Sequence, residues 1–214
     1  MTWSVFHKKE ESSDQVSSKP KIKGVDDRRF LHLGLNGRVT IDPLFVKTHE
    51  EDLLSPVQEP NQEIEAVGVL DLGDDNIMYR YYLTEDAFIQ VNTENDEIND
   101  LVIFTYLDSI NPDNREDFES YYDEGGKIGE PTWTVDGKVF ERVWGRAPIA
   151  LQEKVHKVDH NYELDLYAML YQRSIPGTDV KELLLVTAED SGEDEYVVSL
   201  ACGLSLNRSA LDVT

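Results

Sequence analysis

Residues 64–83, with the sequence IEAVGVLDLGDDNIMYRYYL, decide the fold class. The stretch holds two runs rich in Val, Ile, Leu and Tyr, a composition typical of β-strands. Between the runs lies Gly73-Asp74-Asp75-Asn76, whose residue types favour a tight turn. The stretch therefore predicts a hairpin of two antiparallel strands over residues 64–72 and 77–83.

Runs of the same kind follow along the rest of the chain, separated by clusters of Gly, Asp and Asn. They cover residues 87–93, 101–107, 132–135, 138–144, 149–158, 162–175, 181–187 and 196–204. Upstream, Asn36-Gly37 predicts a hairpin between residues 31–35 and 38–41. Asp42-Pro43 then begins a short helix, because Asp is a favoured N-cap and Pro a favoured first helical residue.

A further short helix is predicted within the acidic connection 111–131, at residues 115–122. Short strands with tight turns and few helices indicate antiparallel pairing. The sequence therefore predicts an α+β fold that is predominantly an antiparallel β-sheet, sandwich-like or a partly closed barrel, with one or two short helices. No fixed repeat period runs through the chain, which argues against a propeller or a solenoid.

The chain divides by composition into two parts. Residues 1–29 are rich in Ser, Lys, Glu and Asp without apolar periodicity, which predicts a flexible tail. Residues 30–214 are predicted to form a single β-rich globular domain. At the start of the tail Trp3 and Phe6 lie beside Lys8 and Lys9, a pattern that favours at most weak peripheral contact with a membrane.

The charge is large and uneven. The whole chain carries a net charge of −23, with +2 on residues 1–29 and −25 on residues 30–214. A body this negative repels a phosphate backbone, so no nucleic-acid partner is expected. The charge favours a basic protein partner or a cation, or serves solubility alone.

The cysteine count, the N-terminal residues and the lengths of the aliphatic runs indicate the cellular compartment. Cys202 is the only cysteine, so no internal disulfide forms, which fits a reducing compartment. The N-terminus lacks the apolar stretch of a secretory signal. Uninterrupted aliphatic runs are far too short to span a bilayer. A soluble, cytoplasmic protein is therefore expected.

Five phrases of the folded body together resemble one known family. They are Gly68-Val-Leu-Asp-Leu-Gly73, Met78-Tyr-Arg-Tyr-Tyr82, Ala87-Phe-Ile-Gln-Val91, Phe140-Glu-Arg-Val-Trp144 and Met169-Leu-Tyr-Gln-Arg173. In order and spacing they are similar to the YjfK-like family of bacterial proteins, over roughly residues 30–210. The family is a domain of unknown function, and its members tend to be encoded beside a PspA-like membrane-stress protein. The resemblance therefore implies a cytoplasmic accessory factor in an envelope-stress system, and it supplies no catalytic residue.

The familiar catalytic and metal-binding patterns are absent from the sequence. His156 and His160 would share a strand face about 13 Å apart, too far for one ion, so no metal site is predicted. Residues 124–129 hold glycines and a lysine without the spacing of a phosphate-binding loop, and are predicted to form a mobile loop. We expect no cofactor and no enzymatic activity.

One constellation of side chains remains as a candidate site. Three of the few arginines of the body lie in aromatic strand contexts, and residues two apart on a strand share a face. The candidate residues are Arg80, Tyr82, Arg142, Trp144, Tyr171 and Arg173. They predict either one surface that binds an anionic group, with guanidiniums flanked by aromatic rings, or separate ion pairs and cation–π contacts.

Three classes of function follow from these patterns. The first is a non-enzymatic accessory protein that binds protein partners, PspA-like or membrane-stress proteins among them. The second is a binding module for a small anionic ligand or an acidic peptide through the arginine–aromatic face. The third is an enzyme of unrecognised type. The sequence leaves the oligomeric state open.

Overall fold

The computed structural model describes residues 30–48, 50–192 and 195–214. The predicted tail, with Trp3 and Phe6, lies outside the described residues. In the described part the α-helices are α1 (Pro43–Thr48) and α2 (Arg115–Ser120). The strands are β1 (Arg38–Ile41), β2 (Asn61–Gly73), β3 (Asn76–Leu83), β4 (Ala87–Glu94), β5 (Glu97–Ile110), β6 (Thr132–Val135), β7 (Lys138–Arg142), β8 (Ile149–His156), β9 (Asn161–Ser174), β10 (Lys181–Asp190), β11 (Tyr196–Ser205) and β12 (Leu211–Val213).

Eight of the strands close into a barrel. The sheet runs β2-β3-β4-β5-β11-β10-β9, and β8 pairs with both β9 and β2 to complete the circle. Every pairing is antiparallel. The predicted antiparallel β-fold with short helices is confirmed, and of the two predicted architectures the chain adopts the barrel rather than the sandwich.

The barrel consists of two four-stranded meanders. β2 to β5 form the first and β8 to β11 the second, each with hairpin connections between consecutive strands. The first strands of the two meanders pair along one seam, β2 with β8, and the last strands along the other, β5 with β11. Partner strands on these seams are therefore far apart in the chain.

Four further strands extend the sheet outside the barrel. β1 pairs with the first residues of β2 and carries β12 on its other edge. β7 pairs with the last residues of β9 and carries β6 as the outermost strand. The predicted Asp136-Gly137 turn joins β6 to β7 with φ values of 47° and 72°, as a two-residue type I′ turn requires.

The predicted hairpin at Asn36-Gly37 is wrong. Residues 31–35 form turns, with positive φ at Leu31 and His32, and β1 takes β2 and β12 as partners instead. The physical reason is burial. The turns let Phe30 and Leu33 both enter the apolar cluster on the outside of the first meander, where Phe30 lies 4.9 Å from the ring of Tyr79.

Apolar side chains fill both sides of the barrel wall. Inside, residues from around the circle meet, with Phe88 stacked on Phe104 at 5.0 Å and Leu185 beside them. Outside, the first meander is covered by residues from β1, α1 and β12. The second is covered by α2 and the β6–β7 hairpin. Strands buried on both faces explain why the sequence runs are continuously apolar.

Candidate functional site

A charged pair lies inside the barrel. Arg80 on β3 donates to Glu153 on β8 over 2.8 Å, and their side chains are only 5% and 0% exposed. The Tyr82 hydroxyl donates to the other carboxylate oxygen of Glu153 at 2.7 Å. Arg80 also donates to the Gln90 side chain at 3.3 Å, and its guanidinium lies 5.4 Å from the centre of the Phe88 ring. Charge and hydrogen bonds are thus satisfied within the interior.

Gly68 on β2 makes room for this pair. A Cβ atom at position 68 would lie 1.7 Å from Oε1 of Glu153 and 2.7 Å from its Cδ. Only a glycine therefore lets the carboxylate pass close to the β2 backbone, where it reaches Arg80 and Tyr82. Gly68, Arg80 and Glu153 form one unit across three strands.

Burial and neighbouring charges fix the protonation of this interior. Burial opposes the charge of Arg80, but the Glu153 carboxylate and nearby tyrosine oxygens outweigh it and raise the pKa of Arg80. Burial and then Glu153 raise the pKa of Tyr82. Burial also raises the pKa of Glu189, against a hydrogen bond from Ser199 that lowers it. Arg80 is therefore always charged here, and Tyr82 stays neutral.

Arg173 makes its contacts on the outer face of the barrel. It pairs with the buried carboxylate of Glu182 at 2.5 Å and donates to the Asp52 carbonyl oxygen at 2.5 Å. Its guanidinium lies 5.5 Å from the Phe140 ring centre. The other oxygen of Glu182 accepts from the Leu54 amide at 2.8 Å. Arg173 and Glu182 therefore fasten residues 50–60, here named the strap, onto the barrel.

Arg142 and Tyr171 lie opposite each other across β7 and β9 on the same outer face. Tyr171 donates to the Ile128 carbonyl oxygen at 2.9 Å, and burial raises its pKa to about 12. Arg142 donates to the carbonyl oxygens of Gly129 and Arg146. Both side chains thus hold the loops around α2 and β7 in place.

The three arginines do not share one face, which corrects the expectation of a single arginine surface. Arg80 points into the barrel, whereas Arg142 and Arg173 lie outside it with Tyr171 between them. Trp144 is half-buried and packs against both the inner and the outer apolar clusters. Tyr82 stays with Arg80. A binding role for the six residues stays a prediction, and each arginine already has an internal partner.

The strap covers Cys202. Leu53, Ser55 and Val57 of the strap and Cys202 line a cavity of only about 20 Å³. Burial, and then the nearby Glu182 carboxylate, raise the pKa of the Cys202 thiol to about 12. Near neutral pH the thiol is therefore protonated and shielded.

Removing the charge that holds the strap should expose this thiol. In Glu182→Gln the hydrogen bond from the Leu54 amide loses its charged acceptor, and a bond to a charged group is worth about 1.5–3 kcal/mol. We expect Cys202 to react with Ellman's reagent at pH 8 roughly tenfold faster or more, because opening of the strap becomes easier. Glu163→Gln, at an exposed position of β9, should leave the rate unchanged. Equal rates in wild type and Glu182→Gln would show that the strap does not guard the thiol.

The two candidate histidines are separate. His156 lies at the end of β8 with its Nδ1 3.2 Å from Oδ1 of Asn161, and His160 lies in the next turn beside Asp159. Among the described residues no group of three or more His, Cys, Asp or Glu side chains is placed to hold a metal ion.

An open cleft lies where the α2 connection meets the segment before β8. It has a volume of about 620 Å³, and it is lined by residues 122–126 and 129–130 on one wall and by residues 146–148 on the other. The wall side chains with charge are Asp123, Glu124, Glu130 and Arg146, all exposed. The cleft therefore carries three carboxylates against one guanidinium. We name it the acidic cleft.

Backbone packing and Arg142 shape the acidic cleft. A Cβ atom at Gly126 would lie 2.6 Å from the Tyr121 carbonyl oxygen, so a glycine is needed for this tight turn. Arg142 reaches Gly129 on one wall and Arg146 on the other. Tyr122 at the rim stacks on Tyr167 of β9, with ring centroids 3.7 Å apart and planes 4° apart. These contacts tie the cleft to the barrel, so residues 124–129 form a defined wall.

A comparison with known families places the chain. A family model described as a protein of unknown function, DUF2491, matches residues 2–212. The chain belongs to the DUF2491 family. The uncharacterized protein YjfK of Escherichia coli (strain K12) is 29% identical over 201 residues, which cover 86% of this chain and 90% of that protein. The resemblance to a YjfK-like family is thereby confirmed, and no solved structure matches the chain.

Two features of this DUF2491 chain escaped sequence reasoning. The first is the acidic cleft, in which tertiary contacts bring residues 122–126 and 129–130 next to residues 146–148, and an acidic loop alone does not reveal the second wall. The sequence feature that could have pointed to the cleft is the Gly125-Gly126 pair, which lies among carboxylates and close to Tyr122. The second feature is the Arg80–Glu153 pair, whose partners lie 73 positions apart. None of the helices described for this DUF2491 chain has the length and apolar character that a bilayer crossing needs.

Proposed function

We propose that this protein is a non-enzymatic interaction protein whose acidic cleft binds a basic segment of a protein partner. The observation that carries the proposal is the cleft itself. It is concave and holds the exposed carboxylates of Asp123, Glu124 and Glu130 beside the ring of Tyr122. A lysine or arginine side chain finds an opposite charge there.

The charge of the whole body supports the same partner class. Residues 30–214 carry a net charge of −25, so the field around the cleft attracts cations over about a Debye length, roughly 8 Å at physiological salt. Such a field speeds the encounter with basic partners and repels acidic ones. A basic segment is therefore favoured over nucleic acid or an anionic ligand, and each candidate arginine is already engaged within the protein.

The partner's identity belongs to the proposal as well. The family resemblance implies a PspA-like or other membrane-stress protein in the cytoplasm, and we carry both forward as predictions. The cleft adds a chemical requirement, since that partner must present a segment with several lysines or arginines. The interaction needs neither a cofactor nor a metal.

Charge removal in the cleft tests the proposal. The probe is the fluorescently labelled peptide acetyl-Lys-Thr-Lys-Val-Lys-Thr-Lys-amide, with binding followed by fluorescence anisotropy at 0.15 M salt. The triple variant Asp123→Asn, Glu124→Gln, Glu130→Gln should bind it roughly tenfold more weakly, because three exposed ion pairs contribute about 0.5 kcal/mol each.

A matched control distinguishes binding by the cleft carboxylates from attraction by the net negative charge of the whole protein. The triple variant Glu65→Gln, Glu85→Gln, Glu97→Gln removes the same charge from exposed positions outside the cleft. We expect it to bind the peptide within twofold of wild type. If both triple variants lose the same affinity, the acidic body acts as a diffuse attractor and the cleft is not the site.

A further inference from the structure

Among the described residues, the outermost strand of the sheet near the acidic cleft has a partner on one edge only. β6 pairs with β7 alone, through the two-residue turn at Asp136-Gly137. The residues that flank such a turn, Val135 and Lys138, form a hydrogen-bonded pair. Along the hairpin, hydrogen-bonded pairs then alternate with pairs that are not hydrogen-bonded. The bond from the Arg142 amide to the Pro131 carbonyl oxygen, 2.9 Å long, belongs to the same series.

This alternation fixes which backbone groups of β6 point outward. Trp133 and Val135 use theirs toward β7, so the N–H and C=O groups of Thr132 and Thr134 face away from the sheet. Within the described part of the chain no hydrogen bond reaches these four groups. Both threonine side chains are exposed as well. β6 therefore offers a short row of free donors and acceptors to another strand.

The strand that offers this edge is held firmly. The Trp133 side chain is buried in the outer apolar cluster, 5.9 Å from the ring centre of Tyr171. The Lys127 ammonium lies 4.4 Å from the centre of the indole ring. A rigid edge binds an added strand without the cost of ordering itself first.

One wall of the acidic cleft ends just before β6 in the chain. Gly129 and Glu130 belong to the wall of the cleft, and Pro131 alone separates them from Thr132. A segment that lies along β6 and extends past Thr132 therefore comes near the exposed carboxylate of Glu130. Because side chains alternate along a strand, every second residue of that segment faces the same side.

We infer that β6 accepts an extended basic segment of a protein partner as an additional antiparallel or parallel strand, with lysine or arginine side chains reaching the acidic cleft. The inference rests on the proposed function and adds the mode of binding, since backbone hydrogen bonds to Thr132 and Thr134 supply affinity and the cleft supplies charge selection. A second copy of this chain fits the edge poorly, because each body brings a net charge of −25.

A proline on the free edge tests the protein side. Thr134→Pro removes an outward N–H group and leaves the bonds to β7 intact, as proline is tolerated at such edge positions. We expect it to bind the Lys-Thr-Lys-Val-Lys-Thr-Lys peptide at least tenfold more weakly than wild type. Thr134→Val keeps the N–H group and should bind within threefold of wild type. Equal affinities for Thr134→Pro and Thr134→Val would overturn the inference.

N-methylation of the peptide tests the other side on unaltered protein, so the result does not depend on how Thr134→Pro folds. One peptide carries N-methyl groups on its odd residues and another on its even residues, with charge and side chains unchanged. Strand pairing uses the N–H groups of one edge only. We expect one methylated peptide to lose at least tenfold in affinity and the other to stay within threefold. Equal affinities for the two would overturn strand addition.

The two experiments fail in distinguishable ways. Loss of binding in the cleft triple variant, with no effect of Thr134→Pro or of N-methylation, leaves the proposed function standing and removes strand addition. Binding that none of these changes affects removes both. A wild-type protein that is dimeric and becomes monomeric in Thr134→Pro would assign the edge to a second copy, against the inference.

Discussion

Glu153→Leu should lower the free energy of unfolding by about 3–5 kcal/mol, the range found when one partner of a buried ion pair is removed. The substitution leaves the Arg80 guanidinium charged inside the barrel without its ion-pair partner. Tyr82 loses its hydrogen-bond acceptor in the same step. Urea unfolding followed by tryptophan fluorescence measures the change.

The double variant Arg80→Met, Glu153→Leu tests whether the lost stability comes from the unpaired charge or from the loss of the side chains themselves. Replacing both charges by apolar groups of similar volume is often neutral or stabilising, so most of the lost stability should return. Glu163→Leu on exposed β9 sequence should change the free energy of unfolding by less than about 0.5 kcal/mol. A loss below about 1 kcal/mol in Glu153→Leu, or a double variant as unstable as the single one, would contradict the assigned role of the pair.

Gly68→Ala should be nearly as damaging, at about 3 kcal/mol, although it adds only one methyl group. That methyl would lie 1.7 Å from Oε1 of Glu153. The carboxylate must move, and in doing so it leaves Arg80 and Tyr82. Thermal or urea unfolding of Gly68→Ala measures the cost.

A double-mutant cycle assigns the damage to this contact. In a Glu153→Ala background the obstructing atoms are gone, so Gly68→Ala should cost less than about 1 kcal/mol or stabilise slightly. Gly145→Ala is the matched control, because a Cβ atom there meets nothing within 4 Å. If Gly68→Ala costs the same in both backgrounds, the cause is the β2 backbone and not the carboxylate.

The sequence predicted the strands well because their runs are locally distinct. Asp74-Asp75 and Asp136-Gly137 form the turns that their residue types favour, with positive φ at all four residues. Asn36-Gly37 carries the same pattern, yet no hairpin forms, because β1 finds β2 and β12 through tertiary contacts. Local sequence patterns could not predict the closure of the barrel either, because β8 pairs with residues of β2 that lie 80 or more positions earlier in the chain.

The candidate site was predicted less well, for a physical reason. Alternation along β3 and β9 gives the face on which Arg80 and Arg173 lie within each strand, but not which face turns inward. Both faces of these strands are buried in part, so hydrophobicity does not distinguish them. The acidic cleft depends on Arg142, which bridges two loops. The spacing of residues in the sequence does not predict this contact.

The pairing of two meanders also governs how the chain is made. β5 ends at Ile110, and its partner β11 is complete only at Ser205, about 95 residues later. At roughly 5–20 residues per second, synthesis of that stretch takes roughly 5–20 s. During this interval β5 lacks its β11 partner, and residues 67–70 of β2, which lie beyond its pairing with β1, lack their β8 partner. Exposed carboxylates along these strands, Glu65 on β2 and Asp100 and Asp108 on β5, repel like chains until the second meander pairs with the first.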